Sequence, residues 1–383
     1  MKRREFIKYC LAGGVAAGTG LFSYSWLNMK EEGAMRSAYT LANGANADGL
    51  SEDETNILYL ASLAPSGHNT QPWVITIIEP KQWRIGSDRT RWLPAVDPDN
   101  REMILSIGTF LENLSLAARI QGYEALIDVI GKNNFSSEIA EVRFIKKQVA
   151  ATVSDKVIQE RRTVRKGFLN SEINGEDRRM LIGNNKQAVF YYPLNSQEGS
   201  YISQANLLAN KKQATRVDAQ MELADWIRWS DLEASRYQNG LTPESMEMKG
   251  LVRWYAKHFL SKADVLSKSF REETIKLVEE QVNNCAGWLI IKSDSSTVEE
   301  LINAGRVLES TWFRAHEKRI AFHPMTQVLE ESSWQTQLAQ EIGLAGHIQF
   351  VIRIGYIKEH LKPVSLRMPI SKILVNAPDG NNV

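Results

Sequence analysis

The sequence predicts an α+β (mixed α/β) fold, mixed sheets covered by helices. Three observations carry that expectation: β-branched runs of strand length alternate with amphipathic segments, the alternation lacks the regular βαβ rhythm of a parallel sheet, and one helical segment recurs weakly later in the chain. The 383 residues suffice for roughly two domains, and 43% apolar with 24% charged residues is ordinary for a globular protein. Lys plus Arg number 46 against 45 Asp plus Glu, so the long-range field on which nucleic-acid binders depend is missing, and no nucleic-acid partner is expected.

Each element has its own signal. Ser51 before Glu52, Asp53 and Glu54 marks a helix start, and Ile57, Leu58, Leu60, Ala61 and Ala64 recur at helical spacing up to Pro65. Residues 73–78 form a β-branched run with 83–87 as hairpin partner. Residues 101–121 carry Ile104, Leu105, Leu111, Leu114, Leu116, Ala117 and Ala118, which predicts a helix buried on more than one side and stopped by Gly122. Strands are expected at 142–150, 189–194 and 350–356, and helices at 223–236 and 262–280.

The recurrence lies 197 residues apart: Glu102, Gly108, Leu111, Glu112 and Ala118 fall on Glu299, Gly305, Leu308, Glu309 and Ala315. Both segments follow a strand-like run ending in Ser-Asp, at Ser87-Asp88 and Ser293-Asp294. An internal duplication follows, with halves at 51–150 and 151–376.

The usual reactive centres lack their residues. Cys10 and Cys285 are the only cysteines, and the sequence has no CxxC, HExxH, Walker loop or GxGxxG, so neither a metal site nor a side-chain nucleophile is expected.

The chain opens MKRREFIKYCLAGG, with Arg3 and Arg4 ahead of an uncharged run from Tyr9 to Met29. This resembles a twin-arginine export signal over residues 1–30, followed by an Ala, Gly and Asn-rich linker at 31–50. The glycines Gly13, Gly14, Gly18 and Gly20 weaken the run as a membrane helix. No clear cleavage site precedes Ser51, so release to the periplasm and tethering by an uncleaved signal both stay open. The export machinery is the expected protein partner.

Two motifs carry the chemistry. Residues 64–73 read APSGHNTQPW, a helix end followed by a turn that exposes backbone groups and short polar side chains. Residues 159–168 read QERRTVRKGF, whose arginines suit phosphate because the guanidinium fork donates two bonds and never loses its charge. On its own the second segment is equally compatible with a solvated basic helix, and His68 with a plain loop histidine.

Together the motifs resemble the nitroreductase superfamily of FMN proteins, and most closely its Acg-like branch, in which a duplicated chain serves as its own dimer. The resemblance extends to INAGRVLESTW, HPMTQ and the terminal KPVSLRMPI, and spans about 51–374 with a weaker stretch at 191–265. It implies a nitroreductase-like pseudo-dimer with one FMN per chain, held by Pro65, Ser66, Gly67 and Asn69 from the first half and by Arg161, Arg162, Thr163 and Arg165 from the second. By position it adds Thr326 and Gln327 near the flavin edge and Arg367 as a last phosphate ligand. Ser365 stands where the family often has lysine.

The function so implied is an FMN-dependent oxidoreductase that works in two steps between a small-molecule electron donor and an acceptor, without a catalytic side chain. The other readings are a flavin holder in which residues 211–260, with Trp226, Trp229, Tyr237, Trp254 and Tyr255, cover the ring, and an interaction module without ligand. Those aromatics are also compatible with plain core packing. A monomer is expected, since the usual partner surface would be used within the chain.

Overall fold

A computed structural model describes residues 50–147, 150–151, 153–169 and 171–375. The leader and linker up to residue 49 lie outside the described residues. The first half begins with α1 (Glu52–Ser62), whose Ser51 and Glu54 form a reciprocal capping box, and continues through β1 (Trp73–Glu79) and β2 (Gln82–Ser87) to α2 (Arg101–Ile120). Strands β3 (Tyr123–Val129) and β4 (Glu138–Lys146) close it. The second half runs through α3 (Asp155–Glu160), α4 (Gly175–Ile182) and β5 (Val189–Pro193).

A helical insertion follows, made of α5 (Gln197–Gln213), α6 (Val217–Trp226), α7 (Asp231–Tyr237), α8 (Gly250–Phe259), α9 (Lys262–Val265) and α10 (Lys268–Val282). The chain then re-enters the sheet with β6 (Gly287–Ser293), α11 (Val298–Glu317), β7 (Ile320–Pro324), α12 (Gln327–Glu330), α13 (Ser332–Glu341), β8 (His347–Tyr356) and a short β9 (Leu374–Val375).

The two sheets share one plan. Their strand orders are β3-β4-β2-β1 and β7-β8-β6-β5, antiparallel throughout, with a 20-residue helix between the second and third strand of each set. They differ where β1 and β2 are joined by a tight turn at Lys81 (φ 69°), while residues 194–286 separate β5 from β6. From late in the chain, β9 pairs in parallel with β1, so residues 374–375 are stitched into the first sheet.

Helices α2 and α11 cross at the centre of the continuous core, where Phe110 stacks on Trp73 and Trp312 on Phe322. A Cβ on Gly108 would lie 2.3 Å from the Ile302 carbonyl oxygen, and one on Gly305 would lie 2.2 Å from that of Leu105. Helix α2 is long and apolar enough to cross a membrane, but 83% of its most apolar window is buried inside the protein, as befits a core helix.

The structure shifts several expected boundaries. The last strand of the first half begins at 138 rather than 142, where β3, unanticipated, pairs with it from Tyr123↔Lys146 to Val129↔Ala140, and residues 148 and 149 of the expected strand lie outside the described residues. The expected helix at 223–236 is two helices, broken where Ile227 bridges Leu241 and Ser230 caps anew. The one expected at 262–280 restarts at Ser267, whose side chain accepts from the Phe270 amide.

Candidate functional site

The loop after α1 is wound tightly by residues that rarely adopt its conformation. His68, Asn69 and Gln71 all have positive φ, at 46°, 56° and 54°, each a backbone cost that surrounding contacts must offset. Those contacts come from three directions. The Thr109 hydroxyl on α2 donates to the Pro65 carbonyl at 2.8 Å. The Asn69 amide donates to the carbonyls of Gly240 (3.0 Å) and Leu366 (3.1 Å), while Arg367 Nη1 donates to Asn69 Oδ1 at 2.9 Å. Gln71 donates to the Gln238 carbonyl at 3.1 Å and accepts from the Met368 amide at 2.9 Å. The insertion and the C-terminal segment therefore both close on this one turn.

The arginine segment is extended rather than helical and follows α3 directly, which sets aside the reading of a solvated basic helix. The Val164 amide donates to Phe322 on β7 at 3.1 Å, fixing the strip against the second sheet. Arg161 is 2% exposed; its Nε meets Glu309 at 2.8 Å, its Nη2 donates to the Leu63 carbonyl at 2.6 Å, and its plane lies over Trp312. Arg162 pairs with Glu247 at 2.9 Å and donates to the Lys362 carbonyl at 2.6 Å. Arg165 donates from Nη1 to the Ser245 carbonyl at 2.8 Å.

Both motifs line one cleft enclosing about 540 Å³, part of it open to solvent. Its wall is made by Pro65, Ser66, His68 and Asn69 from the loop, by Arg161, Arg162, Thr163 and Arg165 from the strip, and by Ser365 and Arg367 from the C-terminus. Gly240, Leu241 and Ser245 complete it from the insertion. Gly67 faces the other side of its turn, where an added Cβ would meet Leu93 at 3.1 Å and Glu102 Oε2 at 3.4 Å.

Thr326 and Gln327 are not among the lining residues: Thr326 donates to Glu330 at 2.9 Å, and Gln327 opens α12. The sequence reading missed the insertion residues and Gln71. No motif marks Gly240, Leu241, Ser245 or Glu247, because they are brought in by tertiary packing; Gln71 does stand inside the quoted APSGHNTQPW.

The electrostatics favour an anion. Four guanidiniums line the cleft, and the carboxylates salt-bridged to two of them are Glu309 and Glu247. Burial pulls Arg161, Arg162 and Arg165 below the ordinary arginine range, so a bound anion would relieve a real desolvation cost. Burial lowers His68 to about 4, leaving it neutral at pH 7, and raises the Cys285 thiol to about 11, which removes it as a nucleophile. Among the described residues no group of three or more His, Cys, Asp or Glu is placed to hold a metal ion. A cationic, hydrogen-bonding pocket suits the phosphate end of a small cofactor.

Known proteins offer distant relatives. The chain matches no protein-family profile. It is 24% identical over 326 residues to the probable NAD(P)H nitroreductase PigM of Serratia sp., covering 82% of this chain and 90% of that one. Among solved structures it resembles a nitroreductase-like family protein from Bacillus cereus (12% identity, 61% of this chain and all of that one, TM-score 0.34). It also resembles the FMN-dependent nitroreductase NfnB from Mycobacterium smegmatis in complex with NADPH (13% identity, 57% and 95%, TM-score 0.35). Across most of both chains, then, this protein is similar to a probable NAD(P)H nitroreductase.

Proposed function

We propose that this chain holds one FMN in the cleft and works as an oxidoreductase of the nitroreductase type. The observation that carries the reading is the meeting of Pro65, Ser66, His68 and Asn69 with Arg161, Arg162, Thr163, Arg165 and Arg367 around one cationic cleft. FMN, when bound there, would supply the redox chemistry for a two-step exchange between a small-molecule donor and an acceptor. The chain's own residues bind and orient: Arg162, Arg165 and Arg367 would hold the phosphate, and Thr163, Ser66 and Asn69 would offer hydroxyl and amide groups to the rest. His68, neutral at pH 7, adds no charge to the cleft.

The single site follows from an internal duplication, a reading supported by the shared strand order and by the reciprocal contacts at Gly108 and Gly305. In that reading the halves act as a built-in pair, one giving the polar turn and the other the arginine strip, so a monomer suffices. The Acg-like branch and export behind Arg3 and Arg4 belong to the same proposal and rest on the sequence alone. A second reading, a flavin holder, is favoured by the insertion, which bonds Asn69 and walls the cleft with Gly240, Leu241 and Ser245.

The absorbance spectrum of the purified full-length chain tests the cofactor. A flavin spectrum that releases FMN on denaturation is the expected result, and protein that stays colourless after incubation with FMN would overturn it. Stopped-flow mixing with NADH or NADPH then separates enzyme from holder: bleaching of the flavin band supports turnover, and an unchanged band with both donors supports holding.

A further inference from the structure

Glu247 lies on the insertion, yet its carboxylate reaches into the arginine strip. Its Oε1 accepts from Arg162 Nη2 at 2.9 Å and from the Arg165 backbone amide at 3.1 Å, and its side chain is 5% exposed. One guanidinium and one backbone N–H converging on an anionic oxygen is the arrangement by which proteins hold phosphate. Glu247 also has φ 59°, in the left-handed region that a glutamate adopts only under constraint.

The arginines do not need Glu247 to be placed. Arg162 is already directed by the carbonyls of Lys362 (2.6 Å) and Thr163 (3.2 Å). Arg165 is held by the Ser245 carbonyl, and its own carbonyl accepts from Arg353 at 2.6 Å. What Glu247 adds is negative charge. The turn that presents it is a self-contained unit: Thr242 and Ser245 exchange side-chain bonds, the Met248 amide donates to Pro243 at 2.9 Å, and Glu244 is clamped to Lys257 at 2.6 Å. None of these bonds passes through the Glu247 side chain, so its carboxylate can leave the strip without breaking them.

We propose that Glu247 competes with an incoming phosphate group for the anion seat on the 161–165 strip, so that the insertion gates cofactor loading. The inference rests on the reading of the cleft as a flavin site. Its signature is selective: the competition concerns the phosphate, which FMN has and riboflavin lacks.

The full chain, washed free of flavin, is titrated with FMN and with riboflavin while flavin fluorescence is followed. Glu247→Gln keeps the shape and removes the charge. It should tighten FMN by about tenfold and leave riboflavin within about twofold. FMN binding that is unchanged or weakened in the variant would overturn the proposal and make Glu247 an organiser of the arginines. Should the variant fail to fold, hydrogen exchange on the wild-type chain decides: FMN, but not riboflavin, should speed exchange at the amides of residues 246–248. Unchanged or slowed exchange there refutes competition. Binding of neither flavin by wild type or variant instead removes the flavin reading itself, and this inference with it.

Discussion

Gly108 and Gly305 pack Cα to backbone where α2 crosses α11, each occupying the place from which any side chain of the other would be excluded. A methyl on Gly108 would stand 3.0 Å from Gly305 Cα, and one on Gly305 would stand 2.9 Å from Gly108 Cα. The obstacle on both sides is backbone, which cannot rotate away. Gly108→Ala and Gly305→Ala should each destabilise the protein by about 3 kcal/mol, the upper range for overpacking a core. Because the contact is reciprocal, the two losses should be similar. Denaturant melts of both variants check this, and a loss under 1 kcal/mol in either would show that the helices can part at little cost.

Arg161 and Arg165 stand four residues apart on one strip and carry different duties. Arg161 offsets the buried charge of Glu309, whose carboxyl burial raises to about 7 against the pull of Arg161 and Arg367. Removing it leaves a carboxylate at 0% exposure short of a partner, which typically costs ~3–5 kcal/mol. Arg161→Ala is therefore expected to lower stability sharply. Arg165→Ala should leave the melting curve within about 1 kcal/mol and deplete the bound flavin, since its guanidinium donates to a single carbonyl of the insertion. Paired melts and flavin-to-protein absorbance ratios separate the two, and equal stability losses would refute the division.

Much of this was legible in the residues. The capping box at Ser51 and Glu54, the helix from Arg101 and the strand from Trp73 carry local signals, and local signals survive into the fold. The union of Asn69 with the 161–165 strip was legible only through motif resemblance, because nothing local links residues so far apart. The insertion was opaque. Trp229 has its own small core with Met248, Ala256 and Phe270, Trp226 packs with Leu93 and Val96 of the first half, and Tyr237 and Trp254 are exposed, so the aromatics that suggested a ring cover have separate surroundings. The cleft is walled by small residues and backbone, Gly240 and Ser245, which have no distinctive pattern. The split of the expected 223–236 helix came from Ile227 bridging Leu241, a tertiary contact that outweighs helix propensity.

Asn69 joins three parts of the chain through its side chain: it donates to Gly240 and Leu366 and accepts from Arg367. Asn69→Ala removes all three bonds; the Gly240 carbonyl loses its side-chain donor, whereas the Leu366 carbonyl and the Arg367 guanidinium keep each other and Arg367 keeps Leu63 and Ala64. Net losses near 1 kcal/mol per bond predict a local destabilisation of about 2–3 kcal/mol, concentrated in the cover rather than the core. Hydrogen exchange should quicken at residues 238–241 and 366–368 while α2 and α11 stay protected. Uniform exchange across the whole chain would show instead that the loop is part of the global folding unit.

Glu102 gives a prediction in pH. It lies beside Gly67 and Arg101, with its side chain 13% exposed, and its carboxyl is raised to about 8, first by burial and then by the nearby charge of Glu330. A carboxyl whose folded pKa exceeds its unfolded value binds protons more tightly when folded. Its contribution to stability is complete below about pH 4.5 and is lost as pH rises towards 8. Glu102→Gln mimics the protonated form at every pH and should abolish that loss. The variant should match wild type near pH 5 and exceed it by about 1–2 kcal/mol at pH 8, a discount from the full shift because the side chain keeps 13% of its surface in solvent. Melting curves of both proteins at pH 5, 6.5 and 8 provide the check. A gap that stays constant across that range, or that opens towards acid, would mean that Glu102 is ionised throughout and that Arg101 holds its charge against burial.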